Sequence, residues 1–138
     1  MSYRILCGYD ESVGAEKAFD FAIELAKKFE GELHVLFVFR PADAARGVKA
    51  EALLKSAREH VSTSFERLAQ RASAAGVQIG LAVSVGYAAQ QILKSAEQLR
   101  VDHIVVGQRG KNAVQGQRMG SVSLRIVSAG AVTVTVVR

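Results

Sequence analysis

Two hydrophobic rhythms alternate along the chain. Arg4 to Tyr9 (RILCGY) is a short apolar run and reads as a strand. Asp10-Glu11-Ser12 follows, offering Asp10 or Ser12 as a helix N-cap. Ala15, Ala18, Phe19, Ala22, Ile23 and Ala26 then recur at steps of three and four, which is one face of a helix. Gly31 suits its end. Glu32 to Phe39 (ELHVLFVF) predicts a second strand, closed by Pro41, which has no N–H to give a ladder. A helical stretch runs from about Asp43 to Ala75, its first residues reading as loop. Ala50, Leu53, Leu54, Ala57, Val61, Phe65, Leu68, Ala69 and Ala72 mark its buried face, and Gly76 stops it.

Val77 to Val85 (VQIGLAVSV) predicts a third strand, and Gly86 turns into a helix with Ile92, Leu93, Ala96 and Leu99 inward. Asp102 to Val106 is strand four. A helix from about Met119 to Ala129 and a β-branched strand from Ala131 to Val137 (AVTVTVV) close the series. Strands separated by helices require crossovers, so the sheet is expected to be parallel. Strands apolar throughout imply helices on both faces. The expectation is therefore one α/β domain over residues 1–138, doubly wound, with five parallel strands in the order 3-2-1-4-5.

Composition adds little to this architecture but narrows function. The chain is 138 residues long, 49% hydrophobic and 22% charged, which suits a packed core. No apolar run reaches the roughly 20 residues of a membrane span, and no signal-peptide pattern opens the sequence. A cytoplasmic location is the expectation, and the lone Cys7, on a strand, fits a buried thiol in a reducing compartment. The net charge of +5 permits acidic partners, but there is no basic block and no RNA-stacking signature, so nucleic acid is disfavoured. His34, His60 and His103 are scattered, with no metal-ligand spacing among them. No G-x-S-x-G elbow supports a Ser/His/Asp assignment, and no catalytic residue is named.

Residues 107–121 (GQRGKNAVQGQRMGS) break the pattern with four glycines, two arginines, one lysine and no acid. In a doubly wound sheet, ligands bind beyond the carboxyl ends of the strands where the order reverses, here between strands one and four. The loop carrying Asp10 and the glycine-rich loop therefore reach one crevice. Glycines allow close backbone approach to phosphate oxygens, successive amides form a donor concavity, and Gly120-Ser121 opens a helix whose first amides favour an anion. Arg109, Lys111 and Arg118 add attraction, although each would equally serve on a solvated face. Asp10 would repel phosphate and suits ribose hydroxyls, or simply caps the helix. The loop is neither a Walker loop (Val105 stands where the first glycine belongs, and Asn112 where Ser or Thr does) nor a G-x-G-x-x-G fingerprint.

The spacing present is G-x2-G-x9-G-S: Gly107, Gly110, Gly120 and Ser121. With Asp10 and Ser12 after the first strand, Val85-Gly86 before the third helix, VDHIVVGQRG, and the closing GSVS and VTVVR, the chain resembles the nucleotide-binding branch of the universal stress protein family over nearly its whole length. That resemblance implies ATP, sometimes AMP, in the crevice, with any Mg2+ held through the phosphates. It implies Asp10 at the ribose, Tyr9 beside the base and the Val38 backbone on adenine. Val106 and Gly107 would lie under the ribose, and Gly110, Gly120, Ser121, Val122 and Ser123 around the phosphates. It implies a homodimer through the last strand, a stress-response regulatory role, and at most slow hydrolysis. Thr133 stands about where the family usually has a proline, which bears on the edge strand. Two other readings stay open: a dimeric interaction module of the same fold that binds no nucleotide, and an adenylyl transferase, whose H-x-G-H signature is missing at Tyr9-Asp10-Glu11-Ser12.

Overall fold

The computed structural model describes residues 2–40, 50–110 and 119–138. Its elements are β1 (Arg4–Gly8), α1 (Val13–Phe29), β2 (Glu32–Phe39), α2 (Ala50–Ala74), β3 (Ile79–Val85), α3 (Ala88–Gln98), β4 (His103–Gly107), α4 (Ser121–Ala129) and β5 (Thr133–Val137). The five strands form one sheet in the order β3-β2-β1-β4-β5, with every neighbouring pair parallel. The doubly wound order expected from the pattern is the order found.

Side chains alternate across the strands. In β1, Ile5 and Cys7 face a core built with α1 and α2, where Ala15, Phe19, Ala22, Val61 and Leu68 lie. Leu6 faces the other core, with Ala89, Ile92 and Ala96 of α3 and Ile126 of α4. The central strands β1, β2 and β4 are mostly buried, whereas β5 at the sheet's edge is partly exposed throughout. All six residues expected on the inner face of α1 are buried. On α2 the buried members are Ala57, Val61, Leu68 and Ala72; Leu54 and Phe65 are partly covered and pack on the same core. On α3, Ala89 replaces Leu93 among the fully buried positions, and Leu99 becomes the C-cap. Cys7 is buried, and burial pushes its thiol up to about 12, so it stays protonated.

Three helix ends sharpen the expected boundaries, and β3 and β5 begin two residues later than expected, at Ile79 and Thr133. Ser12, not Asp10, caps α1: its hydroxyl accepts from the Ala15 N–H at 3.0 Å. At the other end Glu30 (φ 50°) holds the left-handed cap position, while the Gly31 N–H closes on the Ala26 carbonyl at 2.9 Å. Gly31 is needed for another reason, since a Cβ there would stand 2.4 Å from the Tyr3 carbonyl oxygen. The last helix begins at Ser121 rather than Met119, with Gly120 as its cap. The expectations placed on Pro41, on the start of the long helix near Asp43, and on Asn112, Lys111 and Arg118 lie outside the described residues, as do those on the side chains of Ala50 and Leu53.

Candidate functional site

The carboxyl ends of β1 and β4 bring two loops together. On the first, Asp10 Oδ1 accepts from the Ser12 N–H at 3.0 Å, which turns the chain into α1. The other carboxylate oxygen lies against the second loop: a Cβ on Gly110 would sit 2.7 Å from Asp10 Oδ2. Asp10 and Gly110 are thus neighbours across the crevice, as the topology required.

The second loop is held by main-chain contacts. A Cβ on Gly107 would come within 2.7 Å of the Gly14 backbone, and one on Gly14 within 2.4 Å of the Arg109 carbonyl oxygen. The two bare backbones let the first turn of α1 press on the end of β4. The Gln108 carbonyl then gathers the start of α4, accepting from the Gly120 N–H at 2.7 Å and from the Ser123 hydroxyl at 3.0 Å. Ser123 is buried and its hydroxyl also contacts the Gly120 carbonyl, so it fixes the loop to the helix. Gly120 offers no side-chain cap to α4. Ser121 is exposed and Val122 half-buried in the first turn, where a helix presents unpaired amides. Arg109 is exposed beside them.

Val38 occupies the third side. Its neighbour two residues back, Leu36, accepts from the Tyr9 N–H at 3.0 Å, while Phe39 accepts from the Gly86 N–H on the β3 side at 2.8 Å. With a two-residue period, the main-chain groups of Val38 face the β1 side. The β1–β2 register ends at Gly8 and Leu36, so Val38 projects those groups into the space beyond β1. Its side chain packs on the α3/α4 core, as does the buried Val106 at the end of β4.

Tyr9 is drawn elsewhere. Its ring packs edge-to-face on Phe19 and Phe37 in the α1/α2 core, 6.3 and 5.4 Å away between centroids. Its hydroxyl donates to Glu16, and Arg67 donates to that hydroxyl at 2.8 Å. Arg67 and Arg71 both grip Glu16, and Arg71 reaches Asp20. Burial pushes the Tyr9 phenol up, helped by the hydrogen bond to Glu16, to about 12. Burial also raises Glu16, but the hydrogen bonds from Arg67, Tyr9 and Arg71 outweigh it and hold the carboxylate at about 2. The Tyr9 side chain therefore lies on the opposite face of the sheet from that of Val38.

Several participants were not singled out by the sequence. Gly14 carried a signal, because glycine inside a helix is disfavoured and implies a close approach. Glu11, left-handed at φ 67° and bonded to the Ser64 hydroxyl of α2, carried none. Neither did Gln108, whose role is its carbonyl.

The fold defines a doubly wound α/β protein in which two loops meet at the strand-order reversal. The model of the universal stress protein family matches residues 1–138, and the chain belongs to that family. It is 30% identical to the universal stress protein YxiE of Bacillus subtilis, over 100% of both chains. Among solved structures, the universal stress protein UspA from Lactobacillus plantarum superposes with a TM-score of 0.84 at 25% identity, covering 99% of this chain and 98% of that one. Two more distant neighbours of the same fold were solved with adenine nucleotides. One is a universal stress protein with cAMP (TM-score 0.78, 22% identity, 99% and 97% covered). The other is the Archaeoglobus fulgidus universal stress protein with dAMP (0.71, 17%, 99% and 98%).

Proposed function

We propose that this chain is a cytoplasmic, homodimeric stress-response regulator that binds ATP or AMP in the crevice between β1 and β4. The juxtaposition of Asp10, Gly110 and the outward backbone of Val38 carries the reading. A carboxylate acceptor for ribose hydroxyls stands between a strand edge able to pair with a base and a helix start suited to phosphate. The residues fit such a ligand: Asp10 at the ribose, Val38 at the base edge, Val106 and Gly107 beneath the ribose. The main chain of Gly110, Gly120, Ser121, Val122 and Ser123 surrounds the phosphates, with Arg109 in support. Tyr9 acts only through its backbone and by holding the first loop. A nucleotide would bring Mg2+ on its own phosphates. Hydrolysis is slow at most, because Asp10 is committed to ribose and to the Ser12 amide rather than to an attacking water.

The dimer in this reading forms along β5, which ends the sheet and has β4 as its one strand neighbour among the described residues. An edge of unpaired main-chain groups favours a second strand. Val132, Val134 and Val136 are the β-branched residues of that edge, partly buried against the α3/α4 core, and exposed Leu124 and Val127 on α4 widen the surface.

Mass spectrometry of small molecules released on denaturing the purified protein, with melting curves in millimolar ATP and AMP, tests the proposal. A ligand bound to the native state alone raises stability by about 2.7 kcal/mol at a hundredfold excess over Kd. No released nucleotide and no rise in Tm would overturn it. One observation favours the second reading, a nucleotide-free interaction module: Gly107 and Gly120 both have packing partners inside the chain. The same glycine spacing would serve a protein that bound nothing, and that is the outcome a flat melting curve would select.

A further inference from the structure

A depression lies where the Gly107–Gly110 segment, the start of α1 and the end of β5 meet. It measures about 190 Å³ and is lined by Gly14, Lys17, Gln108, Arg109, Val137 and Arg138. Three of these six have cationic side chains, they come from three separate segments, and none of the six has an acidic side chain. Among the described residues, no ion pair engages Lys17, Arg109 or Arg138. The acids nearest Lys17 on its own helix are already taken, Glu16 by Arg67 and Arg71 and Asp20 by Arg71. The first turn of the 17-residue α1 borders the same space through Gly14, which adds the positive end of a helix. Cationic side chains outside any ion pair, gathered around a concavity at a helix start, attract a compact, multiply charged anion.

We infer that this depression is a phosphate-group site, separate from the crevice that receives ribose and base and joined to it through Arg109. The chemistry is that of a tetrahedral oxyanion, met either as a free phosphate species or as the terminal phosphates of a nucleotide seated next door. Lys17 and Arg138 belong to this site alone, so they can be altered without touching any residue assigned to the adenine nucleotide. The inference extends the nucleotide reading in its second form and stands without it in its first.

The test uses the full chain at low ionic strength, since exposed charges are screened within about 8 Å at physiological salt. Pyrophosphate, ATP and AMP are titrated by calorimetry into the wild type, Lys17→Gln, Arg138→Gln and Lys28→Gln. The last removes the same charge from the far end of α1 and controls for net charge. Melting curves establish that each variant is folded. Pyrophosphate affinity is expected to fall roughly fivefold in Lys17→Gln and in Arg138→Gln, as for loss of one exposed ion pair, and to hold in Lys28→Gln. If pyrophosphate is unaffected but ATP weakens and AMP does not, the phosphate group is the nucleotide's own tail, and the site stands. Equal affinities for all three ligands in all four proteins, or losses matched by Lys28→Gln, overturn it. Absence of AMP binding to the wild type would sink the nucleotide reading while the pyrophosphate titration still decides this one.

Discussion

The two loops that meet at the crevice are held in opposite ways. The loop after β1 is tied by side chains: Asp10 to the Ser12 amide, Ser12 to the Ala15 amide, Glu11 to Ser64, and Tyr9 to Glu16 and Arg67. The loop after β4 is set by backbone meeting backbone, with Gly107 on Gly14, the Arg109 carbonyl over Gly14, and the Gln108 carbonyl on the Gly120 amide. Side-chain ties can be cut singly at modest cost, because a freed polar end finds water or rotates. Backbone apposition has no such slack, since a methyl group placed there forces two elements apart.

The largest effect expected from breaking this contrast is at Gly14. Its would-be Cβ meets the Arg109 carbonyl oxygen at 2.4 Å, and neither partner can rotate away. Gly14→Ala should cost roughly 3 kcal/mol in urea denaturation, against the gain of about 1 kcal/mol that alanine normally brings to a helix. A variant as stable as the wild type would show that the two loops are not in backbone contact.

Gly110 faces a side chain instead, Asp10 Oδ2 at 2.7 Å. Gly110→Ala should therefore change stability by less than about 1 kcal/mol. It displaces the carboxylate proposed to hold ribose, so AMP affinity should fall roughly tenfold, the loss of one charge-assisted hydrogen bond. A calorimetric titration that finds affinity intact and stability broken would reverse the roles given to Gly14 and Gly110.

The same division explains what could be read beforehand. Burial patterns are written in side chains, and α1 shows it: Ala15, Ala18, Phe19, Ala22, Ile23 and Ala26 are all found inside. The strand order was assumed from the few that the handedness of crossovers leaves, and it is the order found. The glycine spacing located the second loop, because the missing Cβ of glycine reports a backbone need. That report names no partner, so Gly107 pointed to a ligand while its nearest atoms belong to Gly14. The family resemblance put Tyr9 beside the base. Its ring instead follows the period-two alternation of Ile5 and Cys7 into the α1/α2 core. Glu11, Gln108 and the Arg67 tie depend on elements 50 or more residues apart or on carbonyl groups, and no local pattern encodes either.

Glu16 anchors the first loop, and pH offers a graded way to release it. Its carboxylate is held at about 2 against an ordinary 4.5. A lowered carboxyl stabilises the fold above its unfolded value and loses that contribution as pH falls through the lowered one. Wild-type stability should therefore decline between pH 4.5 and about 2 more steeply than that of Glu16→Gln. The groups are partly exposed, so the neutral-pH difference should stay near 1 kcal/mol. Parallel acid limbs in the two proteins would mean that the Arg67 and Arg71 contacts contribute nothing to the loop.

The finest discrimination comes from two glutamates in the same strained conformation. Glu11 (φ 67°) sits in the first loop, Glu30 (φ 50°) at the far end of α1. A left-handed residue with a Cβ costs about 1–2 kcal/mol, which glycine avoids at some expense in unfolded-state entropy. Glu30→Gly should thus stabilise by about 1 kcal/mol, seen as a higher urea midpoint at unchanged slope. Glu11→Gly relieves the same strain but also removes the contact with Ser64, so its gain should be smaller by roughly 0.5–1 kcal/mol. The difference between the two isolates that contact, since the backbone term is common to both. Ser64→Ala should then lower stability in the wild type and leave Glu11→Gly unchanged. Equal gains at the two positions would show that α2 does not hold the loop through Glu11, leaving Tyr9 and Arg67 as the connection between them.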